Sequence, residues 1–248
     1  MSGHNRWTKI KRQKEAMGAS KGRLFTKLIK EITVAARLGG GDPNANARLR
    51  AAVGAAREAN MPSDNITRAV KKGTGELEGV NYEEIVYEGY GPGGTAVLVE
   101  CLTDNRNRTA GDIRAILSKG GGNLATEHAV SWGFSRKGII SVKPGLNEDQ
   151  LLEKALDAGA DDLINLGTEG FEIRTEPSQL HPVAMALEKS GVPVMEQRWS
   201  YLPRSTVKLE GETAKRILKL MSALEENDDV QNVYANFEVD DSLIQEMS

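Results

Sequence analysis

Lysine and arginine crowd the start of the chain, where the chemistry they offer is the binding of phosphate groups. Residues 6–30 hold nine of them and one acidic residue, Glu15. Residues 1–75 carry 16 basic and 5 acidic residues, a net charge of +11, whereas residues 76–248 carry 16 basic and 30 acidic residues, a net charge of −14. Basic side chains that neutralise phosphates release counterions, which supplies most of the affinity for nucleic acid. The asymmetry predicts a polyanion-binding head on an acidic body.

A helix would bring several of these basic residues together. Phe25, Leu28 and Ile32 recur at the period of an amphipathic helix over residues 23–38. Four basic residues fall on the opposite side of this helix: Arg23, Lys27, Lys30 and Arg37. We expect this side to be exposed, so that changing Lys27, Lys30 and Arg37 to Glu would weaken nucleic-acid binding and leave the fold intact.

The predicted nucleic-acid interface extends from a basic arm, residues 1–22, across this helix and two later helices to a loop near residue 106. Trp7 and His4 in the arm could stack on unpaired bases, although Trp7 could equally pack against the helices. The complete set of predicted binding residues is His4, Arg6, Trp7, Lys9, Lys11, Arg12, Lys14, Lys21, Arg23, Lys27, Lys30, Arg37, Arg48, Arg50, Arg57, Arg68, Lys71, Lys72, Arg106 and Arg108.

The loop 104–109 contributes Arg106 and Arg108 because it joins a predicted strand to a predicted helix. Arginine and asparagine near a helix N-terminus suit contact with phosphate or RNA. The alternative is a structural role, in which these residues cap the helix and form ion pairs: Asn107 or Thr109 as the cap, and Asp104 or Asp112 as the partner of the arginines.

One glycine pattern resembles a dinucleotide-binding motif. Gly89, Gly91 and Gly94 fit the spacing G-x-G-x-x-G, which needs a helix directly after it. The residues that follow, 95–99, are Thr-Ala-Val-Leu-Val, a strand sequence. The pattern therefore predicts a hairpin turn and no cofactor.

The remaining reactive residue types form no recognisable catalytic or metal set. Cys101 stands among apolar residues, which favours a buried side chain. The three histidines lack ligand spacing, and the acidic cluster 225–229 is typical of solvated surface at a helix end. No run approaches the roughly 18 apolar residues of a membrane span. We predict a soluble, cytoplasmic, non-enzymatic protein with no metal, no cofactor, no evident small-molecule substrate and no membrane partner.

The N-terminal residues are expected to form a small helical bundle. Its predicted helices are 23–38, 43–59 and 64–72. Asp42 would cap the second helix with Pro43 at its first position, and Ser63 would cap the third.

Beyond residue 80 the pattern changes to alternating strands and helices. A hairpin, 82–103, and a helix, 108–119, come first, followed by short strands at 129–135 and 139–143. The order over residues 136–202 is β-α-β-β-α-β, which is ferredoxin-like. We expect the last helix, 212–226, and strand, 230–239, to complete the sheet of the 82–103 strands.

The predicted fold class is α+β with three domains: an N-terminal helical bundle and two α/β domains, the last one ferredoxin-like. The predicted boundaries are 1–78 for the basic helical domain, 79–135 with 204–240 for a discontinuous central domain, and 136–203 for the inserted ferredoxin-like domain.

Several segments together resemble the YebC/PmpR family, whose mitochondrial relative is the translational activator of cytochrome c oxidase subunit I. They span nearly the whole chain and read GHNRWTKIKRQK, FTKLIKEITVAARLGGGDPNANARLRAAV, NMPSDNITRAVKKGTG, YEGYGPGGTAVLVECLTDNRNRT and GGNLA. The family opening Gly-His-Ser-Lys-Trp is Gly-His-Asn-Arg-Trp here, which keeps polarity and charge. The resemblance implies three domains in an open arrangement with a cleft, and no catalytic residue.

The resemblance also implies a role in gene expression and leaves two functions open. One is a DNA-binding transcriptional regulator; the other is an RNA- or ribosome-binding translation factor that assists synthesis of proline-rich stretches. An enzyme that uses the cleft is the third hypothesis, which the absence of a catalytic motif disfavours. A basic helical surface binds both DNA and RNA duplexes, so the residues do not separate the first two.

Overall fold

A computed structural model describes residues 21–240 and 242–243. Within these residues the fold is α+β, as predicted: a helical region precedes two regions that combine helices with sheets. Seven of the predicted binding residues lie outside the described part of the chain: His4, Arg6, Trp7, Lys9, Lys11, Arg12 and Lys14.

The helices have the following bounds: α1 Lys21–Gly39, α2 Ala47–Glu58, α3 Ser63–Thr74, α4 Arg106–Lys119, α5 Glu148–Asp157, α6 Leu180–Lys189 and α7 Gly211–Glu225. The strands are β1 Glu83–Tyr90, β2 Ala96–Thr103, β3 Asn123–Leu124, β4 Phe134–Val142, β5 Asp162–Asn165, β6 Phe171–Thr175, β7 Val194–Pro203, β8 Val207–Lys208, β9 Val230–Ala235 and β10 Phe237–Glu238. Contacts group the chain into two compact units, one of residues 134–204 and one of the residues before and after it. The three-domain boundaries given above stay a prediction.

Helices α1, α2 and α3 share an apolar core that includes Ile32, Leu49 and Ala69. The second helix begins four residues later than the predicted Pro43. Asn46 is its cap and accepts a hydrogen bond from the amide of Leu49, 3.0 Å away. The predicted start is wrong because buried Asn46 also donates to the carbonyl of Ala35 on α1, which fixes the first turn there.

Gly73 allows α3 to lie close against α1. A Cβ at Gly73 would stand 2.4 Å from the carbonyl oxygen of Thr33 and 2.7 Å from the Cβ of Ala36. We expect Gly73→Ala to lower the free energy of unfolding by about 1–3 kcal/mol, because the helices must separate. Gly54→Ala on α2 is the matched control: its Cβ would meet nothing within 4 Å, and alanine favours a helix by about 0.5–1 kcal/mol. Urea unfolding that ranks the two variants in the reverse order would contradict this packing.

The central sheet has the strand order β3-β1-β2-β9, with antiparallel pairing throughout. Of the segment 230–239 that was expected to complete this sheet, Val230–Ala235 lies beside β2, whereas Phe237–Glu238 pairs with β8 in a separate two-stranded sheet. Helices α4 and α7 bury one face of the sheet in a core that includes Val99, Ile113 and Ile217. Glycines 91, 93 and 94 form the turn between the antiparallel strands β1 and β2, so the G-x-G-x-x-G pattern belongs to a hairpin.

The unit 134–204 has the strand order β5-β6-β4-β7, with all neighbours antiparallel, and its connections follow the ferredoxin-like order. The sequence pattern predicted two short strands around 136–138, but β4 runs unbroken from Phe134 to Val142. The polar residues there have partners: Arg136 lies over the ring of Trp199, and Lys137 pairs with Asp161. Gly138 is required because a Cβ would meet Leu180 at 2.8 Å.

Candidate nucleic-acid interface

Other parts of the protein bind Lys27, Lys30 and Arg37 on α1, which corrects the expectation of a fully exposed basic side: Lys30 is buried, Lys27 is half-buried, and Arg37 remains exposed. The ammonium of Lys30 is buried and lies 2.6 Å from a carboxylate oxygen of Asp229. Lys27 donates to the carbonyl of Glu225 at 2.6 Å, and Arg37 donates to the carbonyl of Tyr82. These side chains attach α1 to the sheet region, so reversing their charges would disrupt packing within this compact unit.

Asp229 is the centre of the polar network that receives Lys30. Its other carboxylate oxygen accepts from Arg108 at 2.8 Å and from the hydroxyl of Thr109 at 2.7 Å. Burial opposes ionisation of Asp229, but the hydrogen bonds from Arg108, Lys30 and Thr109 outweigh it and lower its pKa to about 2. The sequence pattern placed Asp229 in a solvated acidic cluster, and this expectation is wrong because the side chain is only 7% exposed.

The loop before α4 caps the helix and forms ion pairs, which is the structural alternative to contact with phosphate or RNA. Asn105 caps the helix by accepting from the amide of Arg108 at 3.0 Å, so Asn107 and Thr109 are not the cap. The guanidinium of Arg108 pairs with Asp104 as well as Asp229. Arg106 is 63% exposed at its side chain. Its guanidinium lies 3.8 Å from a carboxylate oxygen of Glu83, so both arginines have acidic partners.

Arg48 and Arg50 on α2 also have partners within the protein. Arg48 forms ion pairs with Glu31 on α1 and with Glu84 on β1. Burial lowers the pKa of Arg48, but its hydrogen bonds to Glu31 and Glu84 outweigh this and raise the pKa above its ordinary value. Arg50 donates to the carbonyls of Pro43 and Asn44 in the turn that precedes α2. Both residues serve the helical packing.

Several exposed cations of the helical region lie on α2 and α3. Arg68, Lys71 and Lys72 follow the i, i+3, i+4 spacing on α3, so they share one face, which we name the α3 basic face. Each is exposed, and so is Arg57 on α2. In the described part of the chain, none of these four side chains forms a hydrogen bond or an ion pair with another described residue. Lys21 and Arg23 are also exposed, in the first turn of α1.

Lysines and arginines held together without acidic partners repel one another, and an anion relieves that repulsion. The α3 basic face and Arg57 therefore offer phosphate contacts that need no rearrangement of internal ion pairs. Within α2 and α3, the candidate interface is therefore the α3 basic face and Arg57, without Arg48 and Arg50.

Chemistry of other kinds is sparse among the described residues. They include no group of three metal-ligating side chains that could hold a metal ion. Burial raises the pKa of the Cys101 thiol to about 12, with the nearby Asp229 acting in the same direction, so this cysteine is a poor nucleophile at neutral pH. No helix in residues 21–240 is long and apolar enough to cross a membrane.

Sequence reasoning missed two features of this unit. Asp229, which binds Lys30 of α1, carries no motif that would separate it from its acidic neighbours. Glu88 is buried and accepts hydrogen bonds from three backbone amides of the loop 128–131. Its only signal is a charged residue inside a strand, which is too common to indicate a structural role.

Comparisons with known proteins match nearly the whole chain. Residues 5–76 match the family described as the TACO1/YebC protein N-terminal domain, and residues 82–237 match the TACO1/YebC second and third domain. A protein of Myxococcus xanthus is 65% identical over 98% of both chains, and one of Geobacter sulfurreducens is 56% identical over 96% of both. Each of these relatives is named a probable transcriptional regulatory protein.

A solved structure is also similar. The crystal structure of a conserved hypothetical protein from Aquifex aeolicus superimposes with a TM-score of 0.81 at 51% sequence identity. The match covers 90% of this chain and 92% of that one.

Proposed function

Since this chain belongs to the TACO1/YebC family, we propose that it is a non-enzymatic regulator of gene expression that binds nucleic acid through its helical region. The observation that carries the proposal is the α3 basic face, where three exposed cations have no acidic partner among the described residues. Several phosphates bound at once release their counterions, which makes such a face favourable for nucleic acid.

The physiological partner that we propose first is DNA. The name probable transcriptional regulatory protein, carried by relatives 65% and 56% identical to this chain, supports a role in transcription. Contacts through Lys71, Lys72 and Arg68 would be directed mainly at the phosphate backbone, and such contacts position a protein without reading sequence.

Association with ribosomal RNA or the ribosome is the second candidate. The same face is compatible with it, because α3 exposes cations and Thr67, which suit any phosphate backbone. The α3 basic face alone therefore does not distinguish a translation factor from a transcription factor.

Two measurements on the same cells separate these candidates. We expect crosslinking of the full-length protein to enrich defined genomic sites, and we expect the protein to be absent from sedimented ribosomes at physiological salt. Co-sedimentation with ribosomes and no enriched genomic site would replace the first candidate by the second. A protein found in neither fraction would contradict nucleic-acid binding as the function.

A further inference from the structure

Strand β1 has a free edge along its first half. It pairs with β2 over its whole length, but β3 covers its other side only at Gly89 and Tyr90. Just before that pairing, the carbonyl of Glu88 accepts a hydrogen bond from the amide of Ala125 at 2.8 Å. Among the described residues, no strand continues this pairing toward the start of β1.

Some of the backbone amide and carbonyl groups along this edge point away from β2. Alternate residues of a strand direct their amide and carbonyl groups to the same side. Because Glu88 points to the side of β3, Val86 and Glu84 point to that side as well, beyond the end of β3. Their amides and carbonyls are placed to receive another strand.

A cavity runs along this free edge. Its volume is about 270 Å³, and its walls include Glu83, Glu84, Val86, Arg106, Glu127 and His128. Strand β1 forms one wall, and the loop after β3 forms another. An extended chain added to the edge would therefore pass through a preformed cavity.

The loop wall of this cavity is held in place by Glu88. Glu88 is 7% exposed, and its carboxylate accepts from the amides of His128, Val130 and Ser131 at 2.7–2.9 Å. Burial raises the pKa of Glu88, but these backbone hydrogen bonds outweigh it and lower the pKa. The loop therefore keeps its position without a ligand.

Two aromatic side chains lie near the loop wall, at the end of β1 that β3 covers. The indole nitrogen of Trp132 and the hydroxyl of Tyr90 both donate to the carbonyl of Ala129, at 3.0 and 3.3 Å. Trp132 is 75% exposed, and Val86 on the edge is 39% exposed. Exposed aromatic rings with one fixed polar end are enriched where partners dock.

The charge of the edge selects the kind of partner. The cavity is lined by Glu83, Glu84, Glu88 and Glu127. Arg106 lies near Glu83 and Arg48 pairs with Glu84, so four carboxylates face two cations and phosphate is repelled. A second copy of the same acidic edge is repelled too, which protects the free strand from self-association. A segment that carries lysine or arginine is attracted, and its cations can also lie over the ring of Trp132.

We propose that the free edge of β1 is a docking site for an extended, lysine- or arginine-rich segment of a partner protein. The segment adds as a strand beside Glu84 and Val86, lays its basic side chains into the acidic cavity and rests against Trp132. The acidic cavity thus recognises protein, whereas the α3 basic face is proposed to recognise nucleic acid.

The test uses the full-length protein and a fluorescent peptide, Lys-Val-Arg-Val-Lys-Val-Arg, with a control peptide that has Glu in place of each cation. We expect only the cationic peptide to bind, and we expect hydrogen exchange of the Glu84 and Val86 amides to slow on binding. Val86→Pro removes an outward amide that β2 does not use, so binding should weaken at least about tenfold. Val86→Thr keeps the amide and should stay within about twofold.

Circular dichroism would reveal whether Val86→Pro misfolds, and a second variant tests the proposal independently of it. Glu127→Lys, on the exposed loop, should also weaken binding about tenfold, because it reverses one charge of the cavity. Three results overturn the proposal: no binding of the cationic peptide at millimolar concentration, equal binding by both proline and threonine variants, or binding without protection of the edge amides. Binding that appears only after Lys11, Arg12 and Lys14 are changed to Glu would assign the edge to the chain's own N-terminal segment instead.

Discussion

Replacing Arg68, Lys71 and Lys72 together by glutamate should weaken binding of the full-length protein to nucleic acid on the order of 100-fold at low salt. The three side chains form the α3 basic face, and each offers one phosphate contact that the variant turns into repulsion. A plot of log affinity against log salt concentration should become shallower by about 3, one for each lost contact. Fluorescence anisotropy with duplex DNA and with structured RNA measures both quantities.

The matched control reverses three exposed lysines elsewhere, Lys143, Lys189 and Lys219. It changes the net charge by the same amount, so it separates a local site from the overall charge of the protein. We expect the control to stay within about threefold of the natural protein, because charges beyond a Debye length of about 8–10 Å are screened. Equal losses in the two variants would show that the α3 basic face is not a binding site.

Replacing Lys30 by methionine should lower the free energy of unfolding by about 3 kcal/mol. The substitution keeps an unbranched side chain, one atom shorter, but leaves the buried carboxylate of Asp229 without its closest cation, 2.6 Å away. Lys71→Met on the exposed α3 basic face is the control and should change stability by no more than about 0.5 kcal/mol. Urea unfolding measures the difference, and similar midpoints for the two variants would contradict a structural role of Lys30.

The effect of Lys30→Met should depend on pH in a defined direction. The folded protein holds the pKa of Asp229 at about 2, below the ordinary value of 3.8. The stability that the ionised carboxylate contributes is therefore complete above about pH 4 and is lost as the pH falls toward 2. The difference in unfolding free energy between Lys30→Met and the natural protein should shrink over this range. A difference that stays constant from pH 5 to pH 2 would assign the stability to another group.

Local patterns in the sequence were sufficient for the main elements. The spacing of Phe25, Leu28 and Ile32 predicts α1 because one helical face must be apolar to form a core. The β-α-β-β-α-β order over 136–202 predicts a ferredoxin-like sheet, which the strand order β5-β6-β4-β7 confirms. The predicted start of α2 at Pro43 is wrong because the helix is capped by Asn46, whose position is set by a hydrogen bond to a carbonyl on α1.

The binding residues were harder to predict, because charge and periodicity place a cation on one side of a helix without saying what covers that side. Helical periodicity places Lys27, Lys30 and Arg37 on one side of α1 in the same way that it places Arg68, Lys71 and Lys72 on one side of α3. The first three bind carboxylate or carbonyl oxygens elsewhere in the same compact unit, although Arg37 stays exposed, and the last three are exposed with no such partner among the described residues.

The sequence by itself determined the α+β class, the basic start of the chain and the hairpin that the three glycines form. These properties rest on composition and on contacts between near neighbours. Only the tertiary structure decided which cations remain exposed and which edge of the central sheet is free. Lys30 meets Asp229 across 199 positions of the chain, and a contact of that separation has no local pattern from which it could be read.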